Sequence, residues 1–269
     1  MKRILKLSSI IILISTGHFF LYAQSFNLYN TEEKLIPSVN VEDTFHIFIS
    51  VPDDYNSNVQ SYPVLYVLDG DIAYGMAAGI ARYLQIGDNI PELIVVGIGY
   101  GSIDQSAGNK RKRDYGPTAV GGAENFLFFL KNELIPFIDS NYRTIPGDRT
   151  INGYSIGGLF ALYTLFTQPE TFNRYIVGSP YLTWENGIIY DFEENSPEKI
   201  GDKEINLFIS VGSEESDRKY FNPINETVTK IQERNYSGLH METKVFDGST
   251  HLMGPPEVLT HGLLSVFKK

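Results

Sequence analysis

The sequence predicts an α/β fold in which a mostly parallel central sheet carries helices on both faces. Three observations lead there: short apolar runs of strand length, segments whose apolar residues recur about every 3.6 positions, and alternation of the two through most of the chain.

The first strand signal is residues 45–51, which alternate and stop at Pro52-Asp53-Asp54, a strand closed by a turn that forms an antiparallel edge pair with the stretch before it. Buried strands follow at 63–68, 93–98, 150–153, 175–178, 205–211 and 243–246. Helical spacing falls between them at 126–137, 159–166, 224–231 and 259–267. The stretch from Gly99 to Gly122 shows no period, and loops of that length are usually functional or mobile.

A chain of 269 residues, 42% of them hydrophobic, suits one large core. Met1-Lys2-Arg3 and Lys6, an apolar run over 10–20 and the small residue Ala23 read as a signal peptide over 1–23, leaving 24–269 as a single domain. The mature protein is then expected in the periplasm or outside the cell, with no membrane association once the leader is gone. There is no cysteine, which excludes disulfides, a cysteine nucleophile and lipid attachment through that residue. The formal charge of -10, or -13 without the three basic leader residues, argues against a nucleic-acid partner. The histidines lack ligand spacing, so neither a metal nor another cofactor is expected.

Gly153-Tyr154-Ser155-Ile156-Gly157 fits G-x-S-x-G between a strand and a helix. A serine on that sharp turn has a strained backbone, and the residues two positions either side must lack side chains. The Oγ then stands at the carboxyl edge of the sheet, beside the N–H groups of the next helix. In the α/β-hydrolase fold the chain order is serine, acid, histidine, with the histidine on a loop after the last strand. His251 meets that condition. His18 leaves with the leader, His46 lies in an early strand, His240 precedes the last strand, and His261 sits in a helical period. The acid is expected after strand 205–211, where Glu214, Glu215 and Asp217 compete. Ile156 offers one oxyanion amide, and the second is expected in Leu68-Asp69-Gly70-Asp71.

These residues resemble the Putative esterase group of α/β-hydrolases, which includes feruloyl esterases, mycolyltransferases and trilactone siderophore esterases. The resemblance runs from about Phe45 to the C-terminus. It rests on Tyr66-Val67-Leu68-Asp69-Gly70-Asp71, on Arg113-Asp114-Tyr115 with Pro117, and on Ser179-Pro180. It implies Glu215 as the acid, with Gly212 as the glycine of a G-x-x-E/D pattern, and Asp71 as the second oxyanion amide. The subgroup it most resembles, small bacterial hydrolases similar to periplasmic siderophore esterases, includes members thought to work with a weakly engaged acid.

The function expected is hydrolysis of a small-molecule or glycan ester through an acyl-enzyme, by Ser155, His251 and Glu215. Lys110-Arg111-Lys112-Arg113 would draw an anionic aryl ester, with Arg113 as the substrate contact, and Tyr181 and Trp184 would stack on an aromatic ring. Acyl transfer by the same triad and non-catalytic ligand capture are the competing readings.

Overall fold

The computed structural model describes residues 28–118 and 121–268. The leader expected over 1–23 lies outside them. Among the described residues, no helix is long and apolar enough to cross a membrane.

In chain order the elements are β1 (Thr31–Ser38), β2 (Asp43–Ser50), β3 (Tyr62–Val67), α1 (Gly70–Ile86), β4 (Ile94–Gly99), α2 (Arg111–Tyr115), α3 (Ala123–Phe129), α4 (Ile135–Asn141), β5 (Thr144–Tyr154) and α5 (Ile156–Thr167). Then come β6 (Arg174–Gly178), α6 (Ile189–Glu194), α7 (Pro197–Ile200), β7 (Ile205–Gly212), α8 (Asn222–Arg234), β8 (Leu239–Phe246) and α9 (Gly254–Val266). The strands form one eight-stranded sheet in the order β1-β2-β4-β3-β5-β6-β7-β8. The β1/β2 and β2/β4 pairs are antiparallel and the others parallel, so the fold class read from the sequence holds.

Period-2 side-chain alternation explains why both faces are apolar. On β3, Val64 and Tyr66 join the cluster under α3, α5 and α8, whereas Leu65 and Val67 join the opposite cluster under α1 and α9. Helix α8 shows the matching 3.6 period, with Ile224, Thr227 and Ile231 buried. Helices α3 and α4 are joined through a π-helical turn, Leu130–Leu134. Pro136, in the first turn of α4, has no N–H for the ladder, which accounts for the slip in register there.

Three expectations change. The 17-residue helix α1 was not among the expected helical segments; its buried face is largely small, with Gly70, Ala77, Ala78 and Ala81 beside Tyr74. Strand β8 begins at Leu239, so His240 lies within it. The stretch after Gly99 contains α2, in which Arg111 and Arg113, like Lys110 just before it, are held by carboxylates.

Candidate active site

The carboxyl ends of β3, β5, β7 and β8 converge on one edge of the sheet, where a cavity of about 590 Å³ opens. Ser155 and His251 both line it. Ser155 separates the last residue of β5 from the first of α5, at φ 58 and ψ -118. A non-glycine residue in that region costs on the order of 1–3 kcal/mol and persists only where its surroundings over-determine it. Here its N–H donates to the Gly178 carbonyl at 3.0 Å, and its carbonyl accepts from Leu159 and Tyr181, each at 3.0 Å. The elbow closes so tightly that a Cβ on Gly153 would sit 2.2 Å from the Gly157 carbonyl oxygen.

The tight turn after β7 places Glu215 beneath His251, with its carboxyl group fully buried. Its Oε1 accepts from the Gly212 amide at 3.0 Å and from the Ser179 hydroxyl at 2.5 Å. Its Oε2 lies 2.6 Å from His251 Nδ1. Burial pushes this carboxyl upward, but the hydrogen bonds from His251, Ser179 and the Gly212 amide more than offset it and leave the pKa below the ordinary value. Glu214 and Asp217 are exposed. Of the three carboxylates expected to compete, Glu215 is therefore the one closely engaged with the imidazole.

His251 stands on the loop after β8, its side chain 29% exposed. With a carboxylate accepting at Nδ1, that nitrogen carries the proton and Nε2 keeps its lone pair. The ring of Tyr220 stacks on the imidazole with centroids 4.4 Å apart, its hydroxyl 3.4 Å from Nε2. The Tyr154 hydroxyl donates to the His251 carbonyl at 2.8 Å. Burial raises the Tyr154 pKa, so the phenol stays protonated as a donor.

Ile156 and Asp71 occupy the first turns of α5 and α1, where amides have no acceptor inside the helix. The Asp71 carboxylate accepts from the amides of Tyr100 at 2.6 Å and Gly101 at 2.8 Å, which ties the start of α1 to the end of β4. Gly70 permits that approach, since a Cβ there would lie 2.6 Å from the Ile98 nitrogen.

The aromatic and basic contacts expected from the sequence sit elsewhere. Arg113 pairs with Asp114 at 2.6 Å and with Asp43 at 2.9 Å, and it does not line the cavity. Lys110 also binds Asp43, so most of the basic cluster is neutralised within the chain rather than offered to an anion. Tyr181 packs edge-on against Trp184 and against Tyr220, with ring centroids 6.2 and 5.9 Å apart, and neither Tyr181 nor Trp184 lines the cavity. Their reach toward His251 is indirect, through Tyr220.

The basic residue that does line the cavity is Arg111. It grips Asp69 through two hydrogen bonds of 2.6 and 2.8 Å and reaches the Tyr154 carbonyl at 3.3 Å. Asp69 is left-handed, with φ 56, at the end of β3, so this one guanidinium braces the β3–α1 turn against the elbow. Burial opposes the Arg111 charge, but Asp69 more than restores it, and its pKa is raised. Sequence reading missed Arg111, Ser179 and Tyr220 as parts of this cluster. Ser179 belonged to the Ser179-Pro180 motif and Arg111 to the basic cluster over 110–113, but neither pattern assigned them these partners, and Tyr220 carried no signal.

Comparison with known proteins gives a consistent result. The model of the family described as Putative esterase matches residues 38–253. The chain is 30% identical to the ferri-bacillibactin esterase BesA of Bacillus subtilis, over 90% of this chain and 91% of that one. Among solved structures, the BES protein from Bacillus cereus superposes with a TM-score of 0.84 at 27% identity, covering 93% of this chain and 99% of that one. An IroE-like serine hydrolase from Shewanella oneidensis gives 0.79 at 27% identity, over 88% and 80% of the two chains. With a family match spanning most of its length and an eight-stranded hydrolase sheet beneath it, the chain belongs to the Putative esterase family of α/β-hydrolases and is a carboxylic ester hydrolase.

Proposed function

We propose that Ser155 is the nucleophile, His251 the general base and Glu215 the acid that orients it. One observation carries this reading. A buried carboxylate 2.6 Å from Nδ1 fixes the tautomer of an imidazole that shares a cavity with a strained serine. Ser155 Oγ attacks the ester carbonyl carbon and its proton passes to His251 Nε2. The amides of Ile156 and Asp71 donate to the oxyanion. The carbon–oxygen bond to the alcohol then breaks, and the departing oxygen takes the proton from His251. Water, deprotonated by the same imidazole, attacks the acyl-enzyme and releases the carboxylic acid.

The names of relatives such as the Bacillus subtilis ferri-bacillibactin esterase support a siderophore-type ester, including a trilactone, as the natural substrate. Feruloyl and acetyl sugar esters are the alternative substrate classes. The sequence of residues 1–23 supports export to the periplasm or beyond it.

The test is Ser155→Ala, which should abolish turnover of p-nitrophenyl acetate and labelling by a fluorophosphonate while the fold survives. Activity equal to wild type would place the chemistry on another residue.

A further inference from the structure

Three large aliphatic side chains from separate segments stand exposed around the mouth of this cavity. Ile72, in the first turn of α1, is 70% exposed; Ile103, in the loop after β4, is 66%; Leu252, beside His251, is 90%. Single exposed aliphatics are ordinary on any protein. Convergence of residues 72, 103 and 252 on one opening is a patch, and patches of this kind mark binding sites. None of the three is buried in the core, so their apolar surface leaves water only when something occupies the cavity.

The carboxylates lining the same space are already satisfied by the chain itself. Asp69 is held by Arg111, and Asp71 by the amides of Tyr100 and Gly101. What remains for a ligand next to the serine is mostly apolar surface, with the Gln105 side chain also lining it.

Resting on the reading of Ser155 as nucleophile, we propose that Ile72, Ile103 and Leu252 are specificity determinants. They grip an uncharged apolar or aryl portion of the ester adjoining the scissile carbonyl, and so select esters that carry one over short polar esters. A methylene moved from water to an apolar contact is worth about 0.8 kcal/mol, equivalent to roughly fourfold in kcat/KM for each one that reaches the rim.

The experiment measures kcat/KM along two neutral ester series, one lengthening the acyl chain from p-nitrophenyl acetate to octanoate and one lengthening the alcohol in alkyl acetates. Wild type is compared with the triple variant Ile72→Asn, Ile103→Asn, Leu252→Asn, and with Val59→Asn as a control. Val59 is 92% exposed and precedes β3, at the opposite edge of the sheet. In at least one series wild type and the control should rise about fourfold per methylene over the first few, and the triple variant should rise less than about twofold. Equal slopes in wild type and the triple variant, or a flat wild-type profile in both series, would overturn the proposal. Fluorophosphonate labelling of wild type separates the two levels. Labelled Ser155 with insensitive slopes defeats the rim alone, whereas absent labelling together with no acetate turnover defeats the serine-esterase reading beneath it.

Discussion

Replacing Glu215 by Gln exchanges one oxygen for an amide nitrogen in a fully buried side chain. The amide oxygen can still accept from Ser179 and the Gly212 amide, as Oε1 does now. The atom then facing His251 is an NH2 group, a donor only. The imidazole must turn an unprotonated Nδ1 toward it, which moves the proton to Nε2, the nitrogen that accepts from the serine in the proposed mechanism. The imidazolium also loses a counter-charge now 2.6 Å away. The same exchange in a serine-protease triad lowers kcat by about 10⁴. A fall in kcat/KM of roughly 10³ to 10⁴ is expected here, equivalent to about 4–5.5 kcal/mol of transition-state stabilisation. The assay is p-nitrophenyl acetate hydrolysis across pH. Acid stability provides a second readout. The pKa of Glu215 is held below the ordinary 4.5, so its contribution to stability is fully present above that value and is lost as pH falls through the lower folded-state value. The Gln variant should lack that part of the acid-induced loss in urea unfolding. Activity within about tenfold of wild type would refute the claim that this carboxylate sets the tautomer.

Two further outcomes follow from the cluster around the imidazole. Tyr220→Phe keeps the 4.4 Å stack and removes only a weak 3.4 Å contact, so kcat should stay within about threefold, whereas Tyr220→Leu should lower it about tenfold with little change in KM. Equal effects of the two variants would show that the stack does not position the ring. Arg111→Met strips Asp69 of its partner at a pair whose side chains are only 20% and 14% exposed. Losing one member of a buried pair costs about 3–5 kcal/mol, and the residual exposure puts the expected loss at roughly 3 kcal/mol in urea unfolding. A loss under about 1 kcal/mol would mean that the guanidinium does not brace the turn after β3.

Much of this protein was readable from local pattern alone. Alternation located β2, and near-continuous apolar runs located β3, β4, β6 and β7, because a strand buried on both faces needs hydrophobic residues at almost every position. The glycines at 153 and 157 marked the elbow, because a turn of that curvature excludes side chains whatever surrounds it. Helix α1 was not among the helical segments read from the sequence, and its buried face combines small residues with Tyr74.

The contacts among distant residues were another matter. Glu214, Glu215 and Asp217 are chemically alike on one short loop, and only the turn after β7 decides that Glu215 is the one buried against His251. Arg111 and Arg113 stand two residues apart, and the single turn of α2 directs one to Asp69 in the cavity and the other to Asp43 and Asp114 away from it. The sequence by itself determined the sheet, the elbow and which kinds of residue the site would contain, since these depend on local sterics and periodicity. Spacing left the acid open among three carboxylates until the family pattern pointed to Glu215, but which cation lines the cavity and which aromatic stacks on the imidazole were decided only by tertiary packing, because side chains equivalent in local chemistry become distinct once the fold turns them toward different neighbours.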